Sequence, residues 1–268
     1  NNIILSSSPN FAAPLISSLA AAAATTTFTL WWCTLQSNPI YAEDEKSRGN
    51  SHVIETIEDP DSKLHFPKRI TLYDGASARL IGFGVRTLSF LKVKAYVVGL
   101  YVREQDIKVL RNWKDFDKEK FLSTGDESMA HALLDQPIEF AIRIVPMRDT
   151  NGAHLRDGFT RSLTNRIQYV DEELTGDDQS KIVDAIAEFK KIFPKTVVKK
   201  GNELIFTKQV DGCLRMAYHG KELGTIHNHW LAKNLLMGYL AAKSPISEKA
   251  KLSIAEGLEE LFAADFVF

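Results

Sequence analysis

The feature that most restricts the fold is a run of β-branched and apolar residues, Val93-Lys94-Ala95-Tyr96-Val97-Val98, which continues to Val102. Branched side chains suit a pleated strand and lose χ1 freedom in a helix, so the run reads as a strand. Weaker strand patterns precede it at 68–72 and 78–85. Three strands thus come before any convincing helix.

Charged, amphipathic material at 104–134 predicts short helices, and the apolar stretch 138–145, stopped by Pro146, predicts another strand. Leu155, Phe159, Leu163, Ile167 and Val170 recur at helical spacing, as do Ile182, Ile186, Phe189 and Phe193. A hairpin is expected from 204–209 and 213–219, joined through Val210-Asp211-Gly212. A short strand near 223–226 leads to a helix at 228–242, and Ser247 is the expected N-cap of a last helix. This order predicts an α+β fold, an antiparallel sheet with helices packed on one face. Residues 63–268 read as a single domain behind a flexible polar lead-in at 43–62.

Composition matters most for the first 42 residues. They contain no Asp, Glu, Lys, Arg or His, and are rich in Ser, Thr and Ala. Such a stretch reads as a cleaved transit peptide; a secretory signal ending near Ala42 and a retained membrane anchor are the competing readings. Cys33 lies inside it, so a cleaved chain keeps Cys213 alone and has no internal disulfide. The net charge of -1 gives no polycationic surface for nucleic acid.

Few constellations carry chemistry. Gly82-Phe83-Gly84 lacks the third glycine and the Gly-Lys-Ser/Thr of a phosphate loop, and it leads into more strand. His219, His227 and His229 lack the spacing of a metal site, so capping or surface roles are expected and no metal. Arg86 stands ten residues before Tyr96. If a hairpin closes through 88–92, both side chains meet at one end of the sheet. A guanidinium fork and a phenol suit a carboxylate. The alternative is that Arg86 pairs with a core carboxylate or backbone carbonyls while Tyr96 merely packs. Arg143, between Ile142 and Ile144, is a second candidate, for which a purely structural role weighs more heavily than for Arg86.

Gly82-Phe83-Gly84-Val85-Arg86, followed by Val93 through Val102, resembles the chalcone isomerase fold family, above all its plant plastid fatty-acid-binding proteins. The likeness runs from Pro60, Phe66 and Pro67 to Ser244-Pro245-Ile246-Ser247 and 258–261. It implies a chalcone-isomerase-like open-faced β-sandwich with a ligand cleft between the sheet and a helical layer. In the enzymes of the family an Arg at the position of Arg86 binds a phenolate, helped by a Thr, a Tyr, an Asn and a Ser/Thr. Here Tyr96 replaces the Thr, Leu155 falls near the Tyr, Ser162 near the Asn, and Gly238 and Tyr239 near the Ser/Thr. Losing several donors at once removes the stabilisation that ring closure needs. The resemblance instead implies non-catalytic binding of a long-chain fatty acid, its carboxylate held by Arg86 and Tyr96. The implied place is the chloroplast stroma, with a role in fatty-acid metabolism or storage, no cofactor, and no membrane insertion once the leader is gone. A chalcone isomerase-type intramolecular lyase is the alternative, and a membrane-anchored or partner-binding module that keeps its leader is the third.

Overall fold

Strand β5 (Val93–Arg103) lies inside a seven-stranded antiparallel sheet, and its apolar run follows from being buried on both faces. The computed structural model describes residues 55–60, 62–88, 93–170 and 175–263; the readings of residues 1–42 lie outside them. The strands are β1 (Thr56–Glu58), β2 (His65–Pro67), β3 (Arg69–Thr71), β4 (Ser77–Leu88), β5, β6 (Phe140–Pro146), β7 (Thr150–Asn151), β8 (Val197–Val198), β9 (Leu204–Lys208), β10 (Leu214–Tyr218) and β11 (Lys221–Ile226). The large sheet has the order β11-β10-β9-β6-β5-β4-β3, while β1 pairs with β2 and β7 with β8. The helices are α1 (Ile107–Asn112), α2 (Lys118–Leu122), α3 (Ser128–Asp135), α4 (Gly152–Val170), α5 (Gly176–Ile192), α6 (His229–Leu240) and α7 (Glu248–Ala263).

Alternation along the strands divides the apolar residues between two clusters. Tyr96, Val98, Leu100 and Val102 of β5, with Phe140, Ile142 and Ile144 of β6, join the large core that includes the helices. Val97, Tyr101, Ala141 and Val145 belong to a small second cluster, covered by Phe66 of β2 and by Leu72. Phe66 stacks on Phe83 with centroids 5.5 Å apart. One face therefore carries the helical layer and the other a thin cover, which is the open-faced sandwich. The lead-in expected at 43–62 needs correction at its end: Thr56–Glu58 is a strand paired with β2, and Asp59, 4% exposed, accepts from Ser62 N at 2.6 Å. A polar strand this short has too little periodicity to be seen in sequence.

The helices dock through aromatic rings. Phe159 of α4, Phe189 of α5, Phe193 and Phe206 of β9 form a mutual cluster with centroids 5.2–6.3 Å apart. Such ring pairs add about 0.5–1.5 kcal/mol each beyond area burial. The hairpin β9–β10 turns through Gly212, whose φ of 83° favours glycine. Helix α6 is capped by Asn228, which accepts from Leu231 N at 2.8 Å. Ser247 caps α7 as the sequence predicts, accepting from Ala250 N at 3.2 Å, and its hydroxyl also donates to Val85 O at 2.8 Å. The cap thereby ties α7 to β4.

Candidate functional site

Arg86 and Tyr96 are direct cross-strand partners in the β4–β5 ladder, so the spacing argument places them correctly. Residues opposite one another in an antiparallel pair share a face. Tyr96 belongs to the helix-covered face, and Arg86 alternates with Val85 of the opposite cluster, so both point toward the helical layer. Gly82 and Gly84, four and two residues before Arg86, explain how a helix comes so close. A Cβ on Gly82 would lie 2.4 Å from the backbone of Ser253 and Ile254, and one on Gly84 would lie 2.5 Å from Ala250 N. Gly257 answers from α7, where a Cβ would meet Ile81 O at 1.8 Å. These glycines seat a helix against a strand, which is why they resemble a phosphate loop without being one.

Tyr96 is 7% exposed and Tyr239 of α6 is 0% exposed, and their hydroxyls share a hydrogen bond of 3.0 Å. Burial pushes both phenols above their ordinary value. The Tyr239 hydrogen bond and the Arg86 charge oppose that rise at Tyr96. Tyr239 rises further, because Tyr96 beside it disfavours a second charge. Two hydroxyls joined by one bond commit one proton and leave the other to donate to a third acceptor. Arg86 is half-buried, and its guanidinium donates to the Ile246 carbonyl in the turn between α6 and α7. That contact matches the backbone-carbonyl reading of Arg86, while the rest of its fork and the phenol pair give the same corner a cation and one donor. Sequence reasoning noted Tyr239 only by its place near an enzyme residue; no periodicity marks it as the partner of Tyr96.

The other residues near the expected cleft are placed as follows. Ser162 comes against Gly238, where a Cβ would lie 3.1 Å from its Oγ, so these positions of α4 and α6 do adjoin. Leu155 packs against the large core, and Phe159 and Leu235 are buried in it. Arg143 is on the other face, paired with Glu203 and 4.7 Å from the Phe66 ring centroid, far from an open ligand role. His227 Nδ1 lies 3.0 Å from Cys213 Sγ. Among the described residues no group of three or more His, Cys, Asp or Glu could hold a metal ion.

A second buried polar group escaped sequence reasoning. Arg166 of α4, 6% exposed, donates to both oxygens of Glu127, at 3.2 and 2.8 Å, and to Asn234 Oδ1 of α6 at 2.9 Å. Glu127 also accepts from Ala242 N at 3.0 Å. His131, then Arg166 and this amide, hold the Glu127 carboxyl well below the usual carboxylate range despite partial burial. With its partners satisfied, the group reads as a tie between α3, α4 and α6. Arg166 sits among polar neighbours of an amphipathic helix, where nothing in sequence separates an inward polar residue from an outward one, and Asn234 is a lone amide in a largely apolar helix, its partner 68 residues away.

A family model described as chalcone isomerase like matches residues 76–255. Among curated relatives, an uncharacterized protein of Schizosaccharomyces pombe is 29% identical over 243 residues, covering 87% of this chain and 86% of that one. Altered inheritance of mitochondria protein 18, mitochondrial, of Lachancea thermotolerans is 26% identical over 209 residues, 68% of this chain and 67% of the relative. The protein of the same name from Saccharomyces cerevisiae is 25% identical over 254 residues, 83% and 77% of the two chains. Among solved structures, a fatty-acid binding protein of Arabidopsis thaliana superposes with a TM-score of 0.60 at 23% identity, covering 78% of this chain and 99% of the other. At that identity the likeness shows the fold. The chloroplast stroma expected from the sequence is overturned by the mitochondrial names of the yeast relatives. A leader rich in Ser, Thr and Ala and free of acid is common to plastid and mitochondrial presequences, so its composition does not separate the two organelles.

Proposed function

Since the chain belongs to the chalcone isomerase-like family, we propose that it binds a long-chain fatty acid in mitochondria without transforming it. The observation that carries this reading is the corner made by Arg86, Tyr96 and Tyr239: a cation beside a hydrogen-bonded phenol pair with one proton left to donate, on the helix-covered face of an apolar core. A carboxylate accepts from both kinds of donor. The fold shared with a fatty-acid binding protein and the mitochondrial names of the yeast relatives support the ligand and the organelle respectively.

Magnitudes divide the work between head and tail. Burying about ten methylenes at roughly 0.8 kcal/mol each contributes on the order of 8 kcal/mol before ordering costs. A charge-assisted hydrogen bond adds about 1.5–3 kcal/mol. The tail therefore sets affinity, and Arg86 sets orientation and the preference for an ionised head group. The test is to purify the protein from bacteria, extract it with organic solvent and identify co-purified lipids by mass spectrometry. Recovered fatty acid that rebinds to the stripped protein is the expected result; no recovery and no rebinding would end this reading.

A second reading keeps the lyase. A cation beside a phenol that donates one proton is also an arrangement able to stabilise an oxyanion as it develops. Against it, Ser162 and Gly238 give that corner little further polarity. Flavanone formed from a chalcone faster than the spontaneous reaction, and abolished by Arg86→Ala, would favour the enzyme.

A further inference from the structure

A cavity of about 540 Å³ opens between the end of α2 and the turn from α6 to α7, and neither Arg86 nor Tyr96 lines it. Its volume falls in the range of small-molecule sites. One part of the wall is apolar, with Leu122 and Leu252; the rest carries Lys251, Lys243, Glu248 and the hydroxyls of Thr124 and Ser244.

Lys251 is the unusual member. It is 3% exposed, yet among the described residues no carboxylate lies within ion-pair distance of its ammonium. Its Nζ donates to Ala241 O at 3.0 Å and lies 5.8 Å from the Phe121 ring centroid. An ammonium has three protons to donate, so this carbonyl satisfies one of them. Of the two acids whose charge reaches it, Glu127 is already occupied by Arg166 and Ala242 N. Burial accordingly pushes the Lys251 amine down, with Glu248 and Glu127 opposing that fall only through space. Charged lysines are rarely buried this deeply without a counter-charge.

We propose that this cavity is a second binding site, for a small organic anion of single charge whose apolar body rests on Leu122 and Leu252 and whose anionic group pairs with Lys251. The lining charges, two lysines against one glutamate, leave one positive charge to be matched. A doubly charged anion would meet Glu248 without compensation. Thr124 and Ser244 add hydroxyl donors around the same anionic group.

The test titrates the full chain with hexanoate and with hexanamide, its neutral counterpart, following backbone amide shifts by NMR. The expected result is saturable movement of the Thr124 and Ser244 amides with hexanoate, with a dissociation constant on the order of millimolar, and no such movement with hexanamide. Lys251→Met should weaken hexanoate at least about tenfold, the loss of one charge-assisted contact, and leave palmitate binding intact. Leu252→Trp, made from a half-exposed residue at the edge of the cavity, should block hexanoate by filling the space even if the Lys251 variant does not fold. Equal response to hexanamide, shifts that avoid Thr124 and Ser244, or undiminished hexanoate binding by either folded variant would overturn the proposal.

Discussion

Tyr96 and Tyr239 share one hydrogen bond inside the core, and this sets how the proposed site should respond to single substitutions. Arg86→Ala removes the guanidinium charge at that corner and should weaken palmitate binding by about tenfold to a hundredfold in a calorimetric titration. Tyr239→Phe touches no charge, but it leaves Tyr96 without its buried partner and free to turn its proton away from the ligand. The expected loss is roughly threefold to tenfold, the value of one neutral hydrogen bond. Tyr96→Phe should cost a similar amount. Because each phenol acts through the other, the double variant should lose less than the two single losses added together. Additive losses would show that the hydroxyls act separately. Arg86 and Tyr96 were legible in the sequence, since a fixed spacing across a hairpin decides whether two residues face each other. Tyr239 was not, because its meeting with Tyr96 depends on where α6 crosses the sheet, and that is set by packing far along the chain.

Helix α7 lies on β4 over a track of glycines, and this contact is the most demanding in the fold. Gly84→Ala would put a methyl carbon 2.5 Å from Ala250 N, and neither partner is a side chain that can swing away. The helix must lift, at a cost of about 1–3 kcal/mol or more, and the melting temperature should fall by roughly 2–12 °C. Gly158→Ala, at a position in α4 where a Cβ meets nothing within 4 Å, is the control and should melt no lower than the parent. Equal melting temperatures for Gly84→Ala and the parent would mean that α7 is not seated as described. Most elements were legible because apolar periodicity records which side of a strand or helix is buried: β5, α4 and α5 carry that record in every turn. The strand Thr56–Glu58 carries none, being three exposed residues held by the backbone of a neighbour. The glycines were visible as a motif, but their purpose required the helix that covers them.

For the whole molecule, the buried tie at Glu127 joins three helices, and it should give the stability curve an acid limb of predictable sign. The Glu127 carboxyl is held below its unfolded value, so the stability it contributes is present above about pH 4.3 and drains away as pH falls toward the folded value. Glu127→Gln should be less stable than the parent by about 1.5–3 kcal/mol at neutral pH in urea unfolding, with the gap narrowing steadily below pH about 4. A gap independent of pH would assign the loss to shape and not to charge. The bulk composition of residues 1–42 could not decide between organelles, because targeting is a matter of receptor recognition and not of bulk polarity. In the proposed carrier, Arg86 keeps one N–H on the Ile246 carbonyl, so an arriving carboxylate meets a guanidinium already held in place by the turn between α6 and α7. Loading then spends little on ordering the cation, and an emptied site keeps its guanidinium poised for the next cargo.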